Sequence, residues 1–261
     1  MSDPTLQLEW KGDVAIVRLN DPTTLNAITL GNIAAFAEAL DAVEARARAM
    51  IVTGAGRAFC SGANLSGGMG DDVAPEEFDA GSALETHINP LMQRLHDLRL
   101  PWITAVRGAA AGAGASLALA GDMIVASETA YFLQAFARIG LVPDAGSSHL
   151  LVRTIGRPRA MELMLLGEKL PAQTALAWGL INRIVPDDKL EADALALAQR
   201  LAAGPASLRA IRQVAWRAVD ADWQEALSAE RSLQLGAGRS ADYREGVAAF
   251  QGKRAARFVG A

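Results

Sequence analysis

Three stretches hold residues whose types and spacing could do chemistry. The first is RIGLVPDAGSSHL, residues 138–150, where Asp144 stands between Pro143 and Ala145 with Leu141, Val142 and Gly146 close by. Pro-Asp-x-Gly is a common turn sequence. A carboxylate among apolar neighbours is also a common base, because desolvation disfavours its charged form and raises its pKa. The residues alone leave both roles open. The other two stretches, CSGAN at 60–64 and AAGAGAS at 110–116, each follow an apolar run that reads as a strand. Small residues let backbone approach a ligand closely. One free N–H from each segment could hold a carbonyl oxygen that becomes negative during reaction. The second segment also opens a helix, whose N-terminus favours an anion. On pattern alone, tight packing of a helix on a strand is the simpler role for the same residues.

Other combinations carry less. GAGASL from Gly112 lacks the small sixth residue of a dinucleotide fingerprint, since Leu117 stands there, and no acidic residue follows at a strand end about 20 residues on. No GxxxxGK phosphate loop occurs. His87, His96 and His149 are scattered, so no metal site is expected. Ser147, Ser148 and His149 are too close in sequence to form a triad by themselves and read as a helix start.

The elements that must position these residues follow from periodicity. LQLEW and VAIVRL flank Lys11-Gly12-Asp13 and predict a hairpin. TLGNIAAFAEALDAVEARA has helical spacing with Thr29 as N-cap. AMIVTG reads as a short buried strand, and residues 66–80 as a Gly-rich loop. ALETHINPLMQRLHDL is helical, WITAV a strand, GAGASLALAG a tightly packed helix, and MIVAS and AYFL strands. From Ser147 on, almost everything reads as helix, with SSHLLVRTIG and RPRAMELMLLG as separate pieces. The expected architecture is an α/β core over residues 1–200 and a helical module over 201–261.

Composition narrows the class. A chain of 261 residues, 51% hydrophobic and 21% charged, can bury one large core. A net charge of −4 gives no reason to expect nucleic acid as a partner. The single cysteine, Cys60, excludes an intrachain disulfide and suits a reducing cytoplasm. MSDPTLQLEW does not read as a signal peptide, and the uncharged run 108–121 is too short and too glycine-broken to span a bilayer, so no membrane partner is expected.

GAGRAFCSGANL, VRGAAAGAGASLALAGD and FARIGLVPDAGSSHLLVRTIGRPRAMELMLLGEKLPAQTALAWGLINRIV, in that order, resemble the crotonase (enoyl-CoA hydratase/isomerase) superfamily from about Leu6 to the C-terminus. The resemblance implies a spiral of ββα repeats whose terminal helices pack between subunits of a homotrimer or a dimer of trimers. It implies an acyl-CoA thioester as substrate and no cofactor beyond the coenzyme A the substrate carries. The thioester oxygen would be held by the N–H groups of Ala63 and Ala113. Leu25, Ser61, Asn64, Leu65 and Gly112 would lie along the substrate, and Phe250 and Lys253 could reach the nucleotide, although Lys253 and Arg254 read equally as a solvated helix end.

The departures decide the expected reaction. Hydratases of the family activate a water with two glutamates, and those positions fall on Ser116 and Phe136, neither of which is a base. Asp144 falls where several isomerases of the family, and a dehalogenase, carry their acid. That resemblance favours the base over the turn former. The expectation is an isomerase, shifting a 3-enoyl double bond or converting an aryl epoxide thioester to its oxepin. Phe136 and the loop at 66–80 would shape an apolar acyl pocket, with core packing the other role open to Phe136. Hydration, dehalogenation, and acyl-CoA or RNA binding without catalysis are the rival readings. The acidic balance counts against RNA, and the presence of Asp144 counts against a non-catalytic homologue.

Overall fold

The structure, a computed structural model, describes residues 5–64 and 79–261. The chain opens with the expected hairpin. β1 (Leu6–Lys11) and β2 (Val14–Leu19) pair antiparallel, and the turn passes through Gly12 at φ +63°. α1 (Leu30–Arg46) starts at Thr29, whose hydroxyl accepts from the Asn32 N–H at 3.2 Å while Asn32 Oδ1 accepts from the Thr29 N–H at 2.9 Å. This reciprocal pair satisfies two of the donors that a helix start leaves open.

β3 (Ala49–Gly54), α2 (Asn89–Asp97), β4 (Trp102–Val106), β5 (Ala109–Ala111), α3 (Ala113–Leu119), β6 (Met123–Ser127) and β7 (Tyr131–Leu133) follow. Then come α4 (Ser147–Leu166), β8 (Lys169–Pro171), α5 (Ala172–Ala177) and β9 (Arg183–Val185), and finally α6 (Leu190–Ala202), α7 (Ser207–Ala218), α8 (Trp223–Ala237) and α9 (Ala241–Gln251). One sheet runs β1-β2-β3-β4-β6-β9, parallel beyond the hairpin, and β5, β7 and β8 form a second. Each turn of chain puts one strand in the larger sheet and the next in the smaller layer: β4 then β5, β6 then β7. The segment after β3 does the same, because Cys60 bridges Ala110 in parallel. A helix closes each turn. This is the expected α/β spiral of ββα repeats.

The four inner strands of the larger sheet are buried on both faces, and their alternation sorts side chains into two cores. Ala15, Val17, Met50, Val52, Trp102, Val106, Ile124 and Ala126 face the main core with α1, α2 and α3. Val14, Ile16, Ala49, Ile51, Ile103, Ala105 and Val125 face α6, which contributes Leu190, Ala194, Leu197 and Ala198. Apolar runs such as AMIVTG are what a sheet covered on both sides requires.

Three strands lie outside the sequence reading. β5, β8 and β9 have three residues each, too few for an alternation to register, so the stretch after Ser147 is not uniformly helical. α4 does break where two pieces are expected, at Gly156 (φ +77°) ahead of Pro158. The expected boundary between residues 200 and 201 falls inside α6, because that helix covers the sheet rather than leaving it.

α7 is tied to the core through one side chain. Arg212 is buried and donates to Asp122 Oδ2 at 2.8 Å and to the carbonyls of Leu95, His96 and Leu98 at 2.6–2.9 Å. Trp216 Nε1 donates to Asp122 Oδ1 at 2.8 Å. Arg212→Met therefore removes the countercharge of a half-buried carboxylate and uncaps the end of α2. The expected loss is about 3–5 kcal/mol, read as a lower urea midpoint, with Arg212→Lys recovering little because an ammonium cannot match the guanidinium fork.

Candidate active site

Two backbone segments meet where the sequence places its two Gly/Ala stretches. Gly62 has φ +96° and Gly112 φ +51°. A side chain on Gly62 would start 2.8 Å from Ala111 O and 3.6 Å from Gly112 Cα, and one on Gly114 would start 2.6 Å from Cys60 O and Sγ. Glycine is required at both for steric reasons. Ile28 donates to Gly62 O at 2.7 Å and accepts from the Asn64 N–H at 2.9 Å, bridging Ala63 in parallel. In that pattern the N–H of Ala63 itself faces the opposite side. Ala113 is the first residue of α3, so its N–H has no acceptor within the helix. Among the described residues, neither N–H donates a hydrogen bond. The packing role and the open donors coexist here, because the close approach sets the two segments that carry these N–H groups side by side.

Asp144 sits on a turn completed by Ala145 (φ +50°) and Gly146 (φ +82°), with its carbonyl accepting from the Ser147 N–H at 3.0 Å. Among the described residues, its Oδ1 is buried without a hydrogen-bond partner. Burial raises its pKa from the ordinary carboxylate value to about 6. The turn docks on α3 through Ser116, whose hydroxyl donates to Asp144 O at 3.0 Å. Phe136 is buried, and its Cζ lies 3.9 Å from where a side chain on Gly112 would begin. It belongs to neither hydrophobic core. The turn and the ring are thus both packed against the helix start whose first residue is Ala113.

The family model for enoyl-CoA hydratase/isomerase matches residues 9–261. The chain belongs to the enoyl-CoA hydratase/isomerase family. It is 44% identical over 250 residues to the 1,2-epoxyphenylacetyl-CoA isomerase of Escherichia coli K12, covering 95% of each chain. It is 41% identical over 261 residues, the whole of both chains, to a Rhodobacter capsulatus protein described as "Probable enoyl-CoA hydratase". The solved enoyl-CoA hydratase subunit I of Geobacillus kaustophilus superposes with a TM-score of 0.91 at 33% identity over 99% of both chains. The resemblance read from the motifs and the crotonase-type fold are therefore both established.

Within this family member, the expected positions group as follows. Leu25 O accepts from the Ser61 N–H at 3.0 Å, and Ser61 Oγ donates to Thr24 O at 2.9 Å, so Leu25, Ser61, Ala63 and Asn64 share one wall with Gly112 and Ala113 across from it. Leu65 and residues 66–78 lie outside the described residues. Phe250 and Lys253 are not brought to this wall by their own chain. Phe250 is 86% exposed at the end of α9, in a groove with Pro205, Tyr243, Val247 and Phe258. Among the described residues, no group of three or more His, Cys, Asp or Glu is placed to hold a metal, and no helix is long and apolar enough to cross a membrane. Burial pushes the Cys60 thiol up to about 12, which removes it as a nucleophile at neutral pH.

Asn26 is the residue that sequence reasoning missed. It is buried at φ +59°, and its amide donates to the carbonyls of Ala55, Ala58 and Phe59 at 2.8–3.2 Å while its Oδ1 accepts from the Asp21 N–H at 2.9 Å. It staples the wall at 24–28 to the strand end that carries Cys60. Asparagine's tolerance of left-handed backbone after Leu25 was the available signal.

A carboxyl whose folded pKa is raised binds its proton more tightly folded than unfolded. Its favourable contribution is present at low pH and is lost as pH rises through about 6. Asp144→Asn should therefore raise Tm over the wild type at about pH 8, with the difference shrinking toward about pH 4. Equal shifts at both pH values would mean that the carboxylate is solvated.

Proposed function

We propose that this protein is an acyl-CoA isomerase that uses Asp144 as its single base and the N–H groups of Ala63 and Ala113 as its oxyanion donors. The observation that carries this reading is the buried, unpaired Asp144 oxygen with a pKa near neutrality, beside a helix whose family glutamate position is Ser116. The thioester carbonyl would sit between the two N–H groups. Asp144 would remove a proton from the carbon next to the carbonyl, and the electron pair would move onto the carbonyl oxygen. Two aligned donors stabilise that charge by about 10²- to 10³-fold each. Protonated Asp144 would then return the proton farther along the conjugated system as the carbonyl re-forms. No water enters, and no electron leaves.

The identity to a 1,2-epoxyphenylacetyl-CoA isomerase supports an aromatic substrate, in which the proton leaves the side-chain carbon and returns to a ring carbon as the epoxide expands to an oxepin. The apolar ring of Phe136 beside Gly112 suits such a group. A 3-enoyl-CoA presents the same allylic proton and is the second substrate expected. Hydration is disfavoured because a second group is needed to hold and deprotonate water, and Ser116 and Phe136 supply none.

Ring-1,2-epoxyphenylacetyl-CoA and 3-hexenoyl-CoA, followed by mass spectrometry and absorbance, should both be isomerised, and crotonyl-CoA hydrated very slowly or not at all. Asp144→Asn should keep acyl-CoA binding and lower kcat by about 10²- to 10⁴-fold. The acid limb of kcat/KM should lie near 6 rather than in the ordinary carboxylate range. Efficient crotonyl-CoA hydration that vanishes in Asp144→Asn would make the protein a one-carboxylate hydratase and sink the isomerase.

We infer in addition that the C-terminal helices join subunits in a homotrimer or dimer of trimers. α8 has no buried residue within its own chain, and Trp223, Leu227, Leu235, Val247 and Phe250 are all exposed. Phe250 and Lys253 would then serve a neighbouring subunit's coenzyme A. Sedimentation should give trimers or hexamers, and a stable monomer at micromolar concentration would refute the assembly.

A further inference from the structure

Ser116 occupies a position where this family's hydratases carry a glutamate, yet its hydroxyl is fully engaged. It is completely buried on α3, one turn beyond Ala113. Its Oγ lies 3.0 Å from Asp144 O and 3.3 Å from Gly112 O. A hydroxyl has one proton to give, and the shorter contact takes it. Serine inside a helix ordinarily gives that proton to the carbonyl four residues back, which here belongs to Gly112. This serine is turned instead toward a residue 28 positions further along the chain.

The turn it grips needs an external hold. Ala145 adopts φ +50°, a conformation that costs an alanine energy unless its surroundings impose it. Among the described residues, no hydrogen bond fixes Asp144 Oδ1. The direction of the carboxylate is therefore inherited from the backbone of the turn. That backbone is held by the Ser147 N–H from one side and by Ser116 from the other. Ser147 is itself anchored, because its hydroxyl donates to buried Gln134 Oε1 at 3.2 Å.

We propose that Ser116 is a positioning residue, whose hydroxyl ties the turn carrying Asp144 to the helix carrying the Ala113 N–H and so fixes the spacing of base and oxyanion donor. The proposal rests on the reading of Asp144 as the base.

Ser116→Ala and the near-isosteric Ser116→Cys, a weak donor, are compared with the wild type and Asp144→Asn on 3-hexenoyl-CoA and ring-1,2-epoxyphenylacetyl-CoA. Both serine variants should fold with unchanged Tm within a few degrees and bind substrate with KM changed less than about 2-fold, while kcat falls about 10- to 100-fold, the scale of a misplaced reacting group. The acid limb of kcat should move toward the ordinary carboxylate range as the freed turn lets Asp144 meet water. A kcat within about 2-fold of wild type with the limb unmoved, while Asp144→Asn is inactive, overturns the role of Ser116 and leaves the base reading intact. Loss of kcat and binding together with an unmoved limb overturns it as well, since packing damage alone does that. Full activity in Asp144→Asn, or no turnover of either substrate by the wild type, overturns the base reading and this proposal with it.

Discussion

The close approach of two backbone segments, 60–62 against 111–114, is the constraint on which the rest of the structure depends. It requires glycine at 62 and 114, because the first Cβ atom would strike Ala111 O or Cys60. It makes Cys60 a packing residue. α3 begins immediately beside the approach, at Ala113, whose N–H has no acceptor within the helix. The spiral of ββα turns is the scaffold that presses those segments together: Cys60 bridges Ala110, β5 pairs with β7, and Gly112 N–H reaches Leu133 O at 2.9 Å.

Against this rigid main-chain element stands a costly side chain. A carboxylate with a buried, unpaired oxygen opposes folding at neutral pH, and the left-handed Ala145 beside it adds strain. The surrounding structure offsets both. The buried Ser116 hydroxyl and the Ser147 N–H hold the turn, and the Phe136 ring lies beside the facing glycine. Local instability at one carboxylate, surrounded by over-determined neighbours, is the pattern of a site kept for chemistry rather than for stability.

The sequence made the elements with strong periodicity or punctuation legible: the hairpin at Gly12, the capped helix after Thr29, the long buried strands, and the break at Gly156. It marked Asp144 as a candidate because Pro, Gly and apolar residues crowd it, and it left base and turn former open until the family resemblance favoured the base. Three of the four strands of three residues were invisible, since Ala109–Ala111 has no alternation and Arg183–Val185 looks like the end of a helix-rich segment, whereas the aromatic pair in Tyr131–Leu133 gave that strand away. Asn26 was invisible for a different reason. Its importance lies in three carbonyls contributed by residues 29–33 positions away, and no local pattern encodes that. Phe250 and Lys253 show the limit of one chain, because nothing in residues 241–253 says which subunit they face.

Arg212 gives the fold a direction in time. The three carbonyls it caps are made 114–117 residues before it, and Asp122 waits 90 residues for its countercharge. While the chain is being synthesised, every strand of both sheets can leave the ribosome before the one cation that completes them. Until then the end of α2 is a ledge of open carbonyls beside a carboxylate that has the Trp102 N–H but no countercharge. Polypeptides released before residue 212 are therefore not smaller enzymes lacking an accessory module. They are unfinished cores, exposed to the cell's chaperones and proteases at the seam where α7 should lie.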